Sequence, residues 1–187
     1  SDLPSASLRQ CFEPISMSDA VRFLVGLGNP EPKYAGTRHN LGFWLARECA
    51  DALEKRGAQS WPVGSTNWDL SDQCLWRRFR YKGSEIVILL PQTFMNRSGD
   101  GVLPGARRRG VNNPGNMVVL HDELDLDPGV FRLKTGGGNG GHNGLRSLED
   151  SLQTLWKDDV GKFHRIRLGI GHPIRNPAPT RTRDVAN

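Results

Sequence analysis

The sequence predicts an α/β fold, a single-domain three-layer α/β/α sandwich with a mixed, mostly parallel sheet. Short apolar runs alternate along the chain with segments whose apolar residues recur at helical spacing, which is typical of this class. A chain of 187 residues that is 36% hydrophobic can bury one full core. We therefore expect residues 21–187 to form one domain, preceded by a flexible leader or tag remnant over residues 1–20.

The first two elements flank a polar loop. Residues 21–25 are an apolar run ending at Gly26, which is typical of a buried strand. From Leu41 onward the apolar residues fall at helical spacing. This pattern predicts a helix packed by one face, with Asn40 as its N-cap and Gly57 as its end.

The remaining elements alternate in the same way. Residues 75–81 and 85–90 predict a hairpin that turns at Lys82 and Gly83. The later elements are strands at 117–120 and 130–134, a helix at 145–155 and a last strand at 164–170. The glycines and prolines of residues 100–115 predict an interrupted segment there.

Composition narrows the class of partner and the compartment. The net charge of +5 and the pI near 9.4 favour a polyanionic partner.

The three cysteines, Cys11, Cys49 and Cys74, form no C-x-x-C pair and predict a reducing compartment, with neither a disulfide framework nor a zinc site. No apolar run approaches the ~18 residues of a membrane span, so no membrane partner is expected. We expect a cytoplasmic protein. A mitochondrial or plastid location is the alternative, because residues 1–20 contain Ser and Arg and few acids.

The most informative stretch is residues 23–43, where an apolar strand runs into a loop dense in Gly, Asn, Thr and Arg. It places one titratable base, His39, beside amide side chains on a backbone too rich in Gly and Pro to be core. This combination indicates an active-site loop.

Two further strand ends carry candidate chemistry. Residues 90–99 leave an apolar strand and place Asn96 just beyond the sheet, where the alternative is an Asn that only forms the turn. Residues 121–125 place three carboxylates at another strand end. A solvated turn and a magnesium site are the alternatives to a catalytic carboxylate there.

A fourth stretch, residues 136–146, contains a G-x-G-x-x-G pattern at Gly136, Gly138 and Gly141. A dinucleotide-dependent oxidoreductase would also need an acid at the end of the next strand, where the sequence has Gly169, so that function is disfavoured. A glycine-rich turn before a helix N-terminus still suits a phosphate or ribose close to the backbone.

In order, spacing and residue identity, these four stretches together resemble the bacterial-type peptidyl-tRNA hydrolases over residues 22–173. The resemblance implies one α/β domain that needs no metal or organic cofactor. It implies hydrolysis of the ester that joins a peptide, or an N-blocked amino acid, to the 3′-terminal ribose of tRNA. It further implies a monomer whose partners are peptidyl-tRNA, its acceptor stem and its 5′-phosphate.

The resemblance also implies roles for individual residues. His39 matches the base that activates water, and Asp122 matches the carboxylate that orients this imidazole. Asn96 matches an amide that holds substrate and water and stabilises the oxyanion. Further matches bind the peptide or terminal nucleotide or shape the groove: Asn29, Tyr34, Met95, His142 and Asn143.

The basic residues are assigned in the same way. Lys134 and Arg167 match the pair that clamps the tRNA 5′-phosphate, and Arg132 and Arg146 are additional phosphate contacts. Such contacts make binding salt-dependent and nearly indifferent to sequence.

The chain departs from the family pattern in three places. Glu31 stands where the family usually has Gly, and Gly101, Pro104 and Gly105 are expected to interrupt a segment that is normally a clean helix. The chain is also expected to lack the family's C-terminal helix.

A non-catalytic RNA-binding protein on the same fold, of the intron-splicing type, is the alternative function. The joint presence of Asn29, His39, Asn96 and Asp122 favours the enzyme.

Overall fold

The computed structural model describes residues 22–172. The expectations for residues 1–20 and for the C-terminal segment lie outside this range. The strands are β1 (Arg22–Gly26), β2 (Gln59–Trp61), β3 (Asp69–Ser71), β4 (Cys74–Tyr81), β5 (Ser84–Pro91), β6 (Met117–Glu123), β7 (Phe131–Thr135) and β8 (His164–Gly169). The helices are α1 (Leu41–Lys55), α2 (Ser98–Arg108) and α3 (Asn143–Trp156).

The sheet is mixed, as predicted, and its strands lie in the order β2-β4-β5-β1-β6-β8-β7, with β3 also paired to β4. In the centre, β1 pairs in parallel with β5 and β6, and β6 pairs in parallel with β8. The other pairings between the described strands are antiparallel. The expectation of a mostly parallel sheet was therefore wrong. The β4–β5 hairpin and the two short strands β2 and β3 make one whole side of the sheet antiparallel.

The three-layer architecture is confirmed. On one face, α1 packs with residues such as Phe43 and Ala46 against Leu120 and Phe79 of the sheet. On the other face, α2 and α3 cover a second core that includes Leu148. Burying both faces of the central strands explains why β1 and β5 read as continuous apolar runs. Within residues 22–172, no helix has the length and apolar content needed to span a bilayer.

The prediction that residues 100–115 form an interrupted segment was wrong for α2. This helix runs unbroken from Ser98 to Arg108 with Pro104 inside it. Tertiary packing outweighs the low helix propensity of its glycines. A Cβ at position 99 would lie 2.2 Å from the carbonyl oxygen of Ser147, so Gly99 allows α2 to approach α3 closely.

The strand ends that carry the candidate chemistry come together at one edge of the central sheet. β1 and β6 are parallel neighbours, so the loop after Gly26 lies beside the acidic end of β6, which continues past β1 to Glu123 and pairs there with β8. A Cβ at Gly42 would lie 2.4 Å from the carbonyl oxygens of Leu27 and Leu120, so only glycine lets the start of α1 sit against both strands. The fold thus fixes the position of the 3₁₀ turn that holds His39.

Candidate active site

A pocket of about 520 Å³ opens where β1 and β6 end and α3 begins. Its lining comes from all four sequence stretches. The residues are Asn29, His39, Met95, Asp122, Glu123, Leu124, Asp125, Asn139, Gly140, Gly141, His142, Asn143 and His172. The predicted site residues Asn29, His39, Met95, Asp122, His142 and Asn143 are therefore brought together by the fold.

Asp122 is the electrostatic centre of this pocket. Its side chain is 5% exposed, and its two oxygens face two different histidines. His39 Nδ1 lies 2.7 Å from Oδ2, and His142 Nε2 lies 3.1 Å from Oδ1. Burial by itself raises the pKa of Asp122, but the hydrogen bonds and charge of His142 and His39 outweigh it and hold that pKa below its ordinary value. Asp122 is therefore an ionised acceptor for both rings.

The hydrogen bonds assign the tautomers of both histidines. His142 caps α3, and its Nδ1 accepts from the backbone N–H groups of Gly144 and Leu145. Its Nε2 must then carry the proton that it donates to Asp122. His39 donates its Nδ1–H to the same carboxylate, which leaves Nε2 as an acceptor on a side chain that is 58% exposed. His39 therefore presents a basic nitrogen to the open pocket.

The loop that carries His39 is held by side chains as well as by backbone. Arg38 donates from Nη1 to the carbonyl of Ile170, just beyond β8, at 2.9 Å. Asn40 is buried, and its side chain both accepts from the backbone N–H of Asn29 and donates to the carbonyl of Asn29. The position of Asn40 predicted that its side chain caps α1. The side chain makes no capping hydrogen bond and fixes Asn29 instead.

Asn29 is in turn oriented toward the pocket. Its Oδ1 accepts from the backbone N–H of Met95 at 2.8 Å, which ties the first stretch to the second. The side-chain NH₂ group makes no hydrogen bond within residues 22–172. Asn29 therefore offers an unengaged donor to a ligand at this site.

The glycine-rich stretch is shaped by a buried ion pair that the sequence interpretation missed. Arg165 is 2% exposed and donates to the carbonyls of Gly137 and Gly138 at 2.6 and 2.7 Å and to Glu149 at 2.9 Å. Glu149 also accepts from the side chain of Asn139. The loop carbonyls thus bind a protein guanidinium, which gives the G-x-G-x-x-G pattern a structural role. The signal available in the sequence was an arginine at an inward-facing position of β8.

His121 is a second residue that sequence reasoning left without a role. It is buried, its Nδ1 lies 2.7 Å from the carbonyl of Asp122, and its ring meets His142 edge-on at 4.9 Å between centroids. Burial, with a further contribution from His142, lowers the pKa of His121 to about 4. The neutral ring of His121 therefore packs behind the hydrogen-bonded Asp122 and His142.

Two of the predicted catalytic and substrate-binding residues lie outside the pocket lining. Asn96 is exposed on the 3₁₀ turn Met95–Arg97, next to the lining residue Met95. Tyr34 is half-buried in the 3₁₀ turn Pro32–Tyr34, with Lys33 4.9 Å from its ring centroid.

Two carboxylates of the third stretch accept hydrogen bonds from protein side chains. Asp122 holds the two histidines, and Glu123 accepts from Arg167 Nε at 2.9 Å. Among residues 22–172, no group of three or more His, Cys, Asp or Glu side chains is arranged to hold a metal ion. The unusual Glu31 forms an ion pair with Lys33 at 2.6 Å.

Three of the four predicted phosphate-binding residues lie on β7 and β8 beside the pocket. Arg132 is directly opposite Arg167 in the ladder, and Lys134 follows two residues later on the same exposed strand. We call Arg132, Lys134 and Arg167 the cationic strip. Arg146 is exposed in the first turn of α3.

The comparison with protein families is decisive at this point. The family described as peptidyl-tRNA hydrolase matches residues 23–185. The chain belongs to the peptidyl-tRNA hydrolase family. The match includes every residue of the pocket and of the cationic strip.

Individual relatives agree with this assignment. A peptidyl-tRNA hydrolase of Acinetobacter baylyi is 42% identical over 82% of this chain and 70% of its own length, and one of Bordetella avium is 43% identical over 84% and 69%. Among solved structures, peptidyl-tRNA hydrolase from Acinetobacter baumannii at 1.00 Å resolution has a TM-score of 0.67 and 40% identity. That match covers 84% of this chain and 72% of that one.

Proposed function

We propose that this chain hydrolyses the ester between a peptide, or an N-blocked amino acid, and the 3′-terminal ribose of tRNA, and so recycles tRNA after translation drop-off. The observation that carries the proposal is the His39–Asp122 pair. An exposed imidazole donates one N–H to a buried carboxylate and presents its other nitrogen to an open pocket of about 520 Å³.

In the proposed reaction His39 Nε2 takes a proton from a water molecule while the oxygen of that water attacks the ester carbonyl. Asp122 holds the imidazole in the tautomer that leaves Nε2 free, and it stabilises the cation that forms. His142 donates to the other carboxylate oxygen and so fixes the rotation of the carboxylate plane. The proton is then delivered to the departing 3′-oxygen of the ribose.

The neighbouring amides are proposed to bind the substrate. The free NH₂ group of Asn29 and the side chain of Asn143 line the pocket, where they can donate to the peptide or the terminal nucleotide. Asn96 is proposed to stabilise the oxyanion. Its exposed position beside Met95 requires its side chain to turn inward when substrate binds. Tyr34 and Met95 are proposed to shape the groove.

The cationic strip is proposed to bind the acceptor stem. Lys134 and Arg167 would clamp the 5′-phosphate, with Arg132 and Arg146 on flanking phosphates. Lys134 is exposed, and its ammonium is close to Gly137 of the loop, so it can reach a phosphate beside the pocket. We propose that the protein acts as a cytoplasmic monomer without a cofactor.

The test is release of an N-acetylated aminoacyl group from tRNA by this chain and by His39→Ala, each with and without a chelator. The expected result is chelator-resistant release that the His39→Ala chain lacks, with tRNA binding retained. Salt-sensitive tRNA binding without any release would instead support the non-catalytic RNA-binding function.

A further inference from the structure

A second concentration of positive charge lies on the opposite edge of the sheet from the cationic strip. Trp76, Arg78 and Arg80 alternate along β4 and so share the face against which α2 packs. β2 places Trp61 directly opposite Arg78. The end of α2 adds Arg109, whose guanidinium lies 4.6 Å from the centroid of the Trp76 ring. We call these five residues the Arg–Trp surface.

This surface is open and contains a flat aromatic group. Trp61 is 55% exposed, and the guanidinium of Arg78 lies 5.0 Å from its ring centroid. Trp61, Arg78 and Arg80 line a shallow groove of about 220 Å³ between β2 and β4. The side chain of Arg80 is exposed and forms no hydrogen bond or ion pair within residues 22–172.

The positive charges of the surface are balanced only in part. Glu85 forms an ion pair with Arg78 at 3.8 Å, Asp69 of β3 lies opposite Trp76, and Asp72 is engaged by the neighbouring Arg108. Burial and the nearby guanidiniums of Arg108 and Arg78 lower the pKa of Arg109 by more than Glu85 raises it. Holding like charges together costs free energy that a bound polyanion would recover. The surface therefore has the charge of a binding site for phosphates.

Its position makes it separate from the cationic strip. Four strand spacings separate β4 from β8 in the sheet order. At roughly 4.8 Å for each spacing, the two regions are about 19 Å apart across the sheet. One phosphate group therefore cannot contact both regions at once.

We propose that the Arg–Trp surface binds an unpaired segment of RNA, with a base stacked on Trp61 and the adjoining phosphates held by Arg80 and Arg109. Indole rings and guanidinium planes are the groups on which unpaired bases stack. An acidic peptide would use the charge of the surface but not the exposed indole, which is why we favour RNA. The proposal concerns binding alone and does not depend on hydrolysis.

The experiment measures the affinity of an end-labelled, unstructured RNA of about ten nucleotides by fluorescence anisotropy. All chains carry Lys134→Gln, so that the cationic strip competes less for the probe. Trp61→Leu and Trp61→Phe separate stacking from apolar bulk. Arg80→Gln removes one charge from the surface, and Arg56→Gln removes one from the exposed end of the α1 layer, on the other face of the sheet.

Trp61→Leu is expected to weaken binding by about tenfold, and Trp61→Phe to keep most of the affinity, because stacking on an aromatic ring is retained. Arg80→Gln is expected to reduce the slope of log K against log salt by about 0.7, the value for one contact to a single strand. Arg56→Gln should leave that slope unchanged. Thermal melting of each variant checks that these exposed positions do not alter the fold.

Three results would overturn the proposal. They are equal affinity of the Trp61→Leu chain and its parent, an effect of Arg56→Gln as large as that of Arg80→Gln, and displacement of the RNA by a poly-glutamate peptide with the same dependence on Trp61. The probe carries no ester, so the absence of hydrolysis would not alter how these results are interpreted.

Discussion

The pocket and the cationic strip use polar side chains in opposite ways. In the pocket, Asp122 is buried and both of its oxygens hold a histidine in a fixed tautomer. On the strip, Arg132 and Lys134 project from an exposed strand, and Arg132 donates only to the carbonyl of its own neighbour. Chemistry requires a proton at a defined atom, whereas attraction of a polyanion requires only charge at the right distance.

This difference predicts that substitutions in the pocket alter the rate at which bound substrate is hydrolysed. Substitutions on the cationic strip should instead alter the affinity for tRNA and its salt dependence. The following substitutions test that division, beginning with the largest expected effect.

Asp122→Asn is expected to lower kcat by roughly 10²–10⁴-fold, the usual contribution of a positioned acid–base pair. An amide at this position would point its NH₂ group at one of the two histidines and favour the tautomer in which His39 Nε2 carries the proton. Steady-state kinetics with an N-acetylated aminoacyl-tRNA measures the effect. Asp150→Asn makes the same chemical change on an exposed position of α3 and should have no effect. An Asp122→Asn enzyme with wild-type kcat would refute the assigned tautomers.

Arg165→Met is expected to lower the free energy of unfolding by about 3 kcal/mol, because the half-buried Glu149 would lose its cation and two loop carbonyls would lose their donor. Chemical denaturation measures this change. The double variant Arg165→Met, Glu149→Leu should recover part of the stability, since no unpaired charge remains. If the kcat of the double variant recovers together with its stability, the ion pair only stabilises the fold. If its kcat stays low, the ion pair also positions the glycine-rich loop.

His121→Asn is expected to change how stability depends on pH. The pKa of His121 falls from 6.5 to about 4 on folding, so between these values the unfolded chain binds a proton that the folded chain does not. Stability should therefore fall as the pH falls from 6.5 to 4, by about 3 kcal/mol in total. Asn can keep a donor for the carbonyl of Asp122 and does not titrate.

Urea unfolding at several pH values between 6.5 and 4.5 compares the two chains. The lowered pKa of Asp122 acts in the same sense but only at lower pH: its contribution to stability is present above the unfolded value of 3.8 and is lost as the pH falls below it. The same slope in both chains would show that His121 is not the titrating group.

Lys134→Gln is expected to leave kcat unchanged and to reduce the slope of log K against log salt for tRNA by about 0.9, the value for one duplex phosphate contact. Anisotropy titrations at several salt concentrations measure the slope. Lys55→Gln, at the end of α1, is the matched loss of charge. A fall in kcat comparable to that of Asp122→Asn would contradict the division between the two regions.

Most of the fold could be predicted because its central elements carry strong local patterns. The helix from Leu41, the hairpin turning at Lys82 and Gly83, and the last strand from His164 were found close to their observed bounds. Strands β2 and β3 were missed, because they are three-residue pieces that exist only through pairing with β4. α2 was misjudged because its glycines serve close packing, Gly99 against α3 and Gly101 against Gln73 and Pro91, which no local propensity encodes.

The residues of the candidate site also fall into those that the sequence could predict and those that it could not. His39 and Asp122 could be found from motif context and residue chemistry, and the fold brings them within hydrogen-bond distance. The supporting groups could not, because their roles come from contacts between distant parts of the chain. Asn40 was predicted to cap a helix and Arg165 was given no role, yet Asn40 holds the backbone of Asn29 and Arg165 holds that of the glycine-rich loop.

The most direct test of the division is single-turnover hydrolysis of an N-acetylated aminoacyl-tRNA over a range of enzyme concentrations. It compares the wild-type chain, His39→Ala, Lys134→Gln and the double variant. The account predicts that His39→Ala lowers the rate at saturation by roughly 10²–10⁴-fold while half-saturation is unchanged, that Lys134→Gln shifts only half-saturation, and that the double variant shows both changes. Release at the wild-type rate by the His39→Ala chain would contradict it.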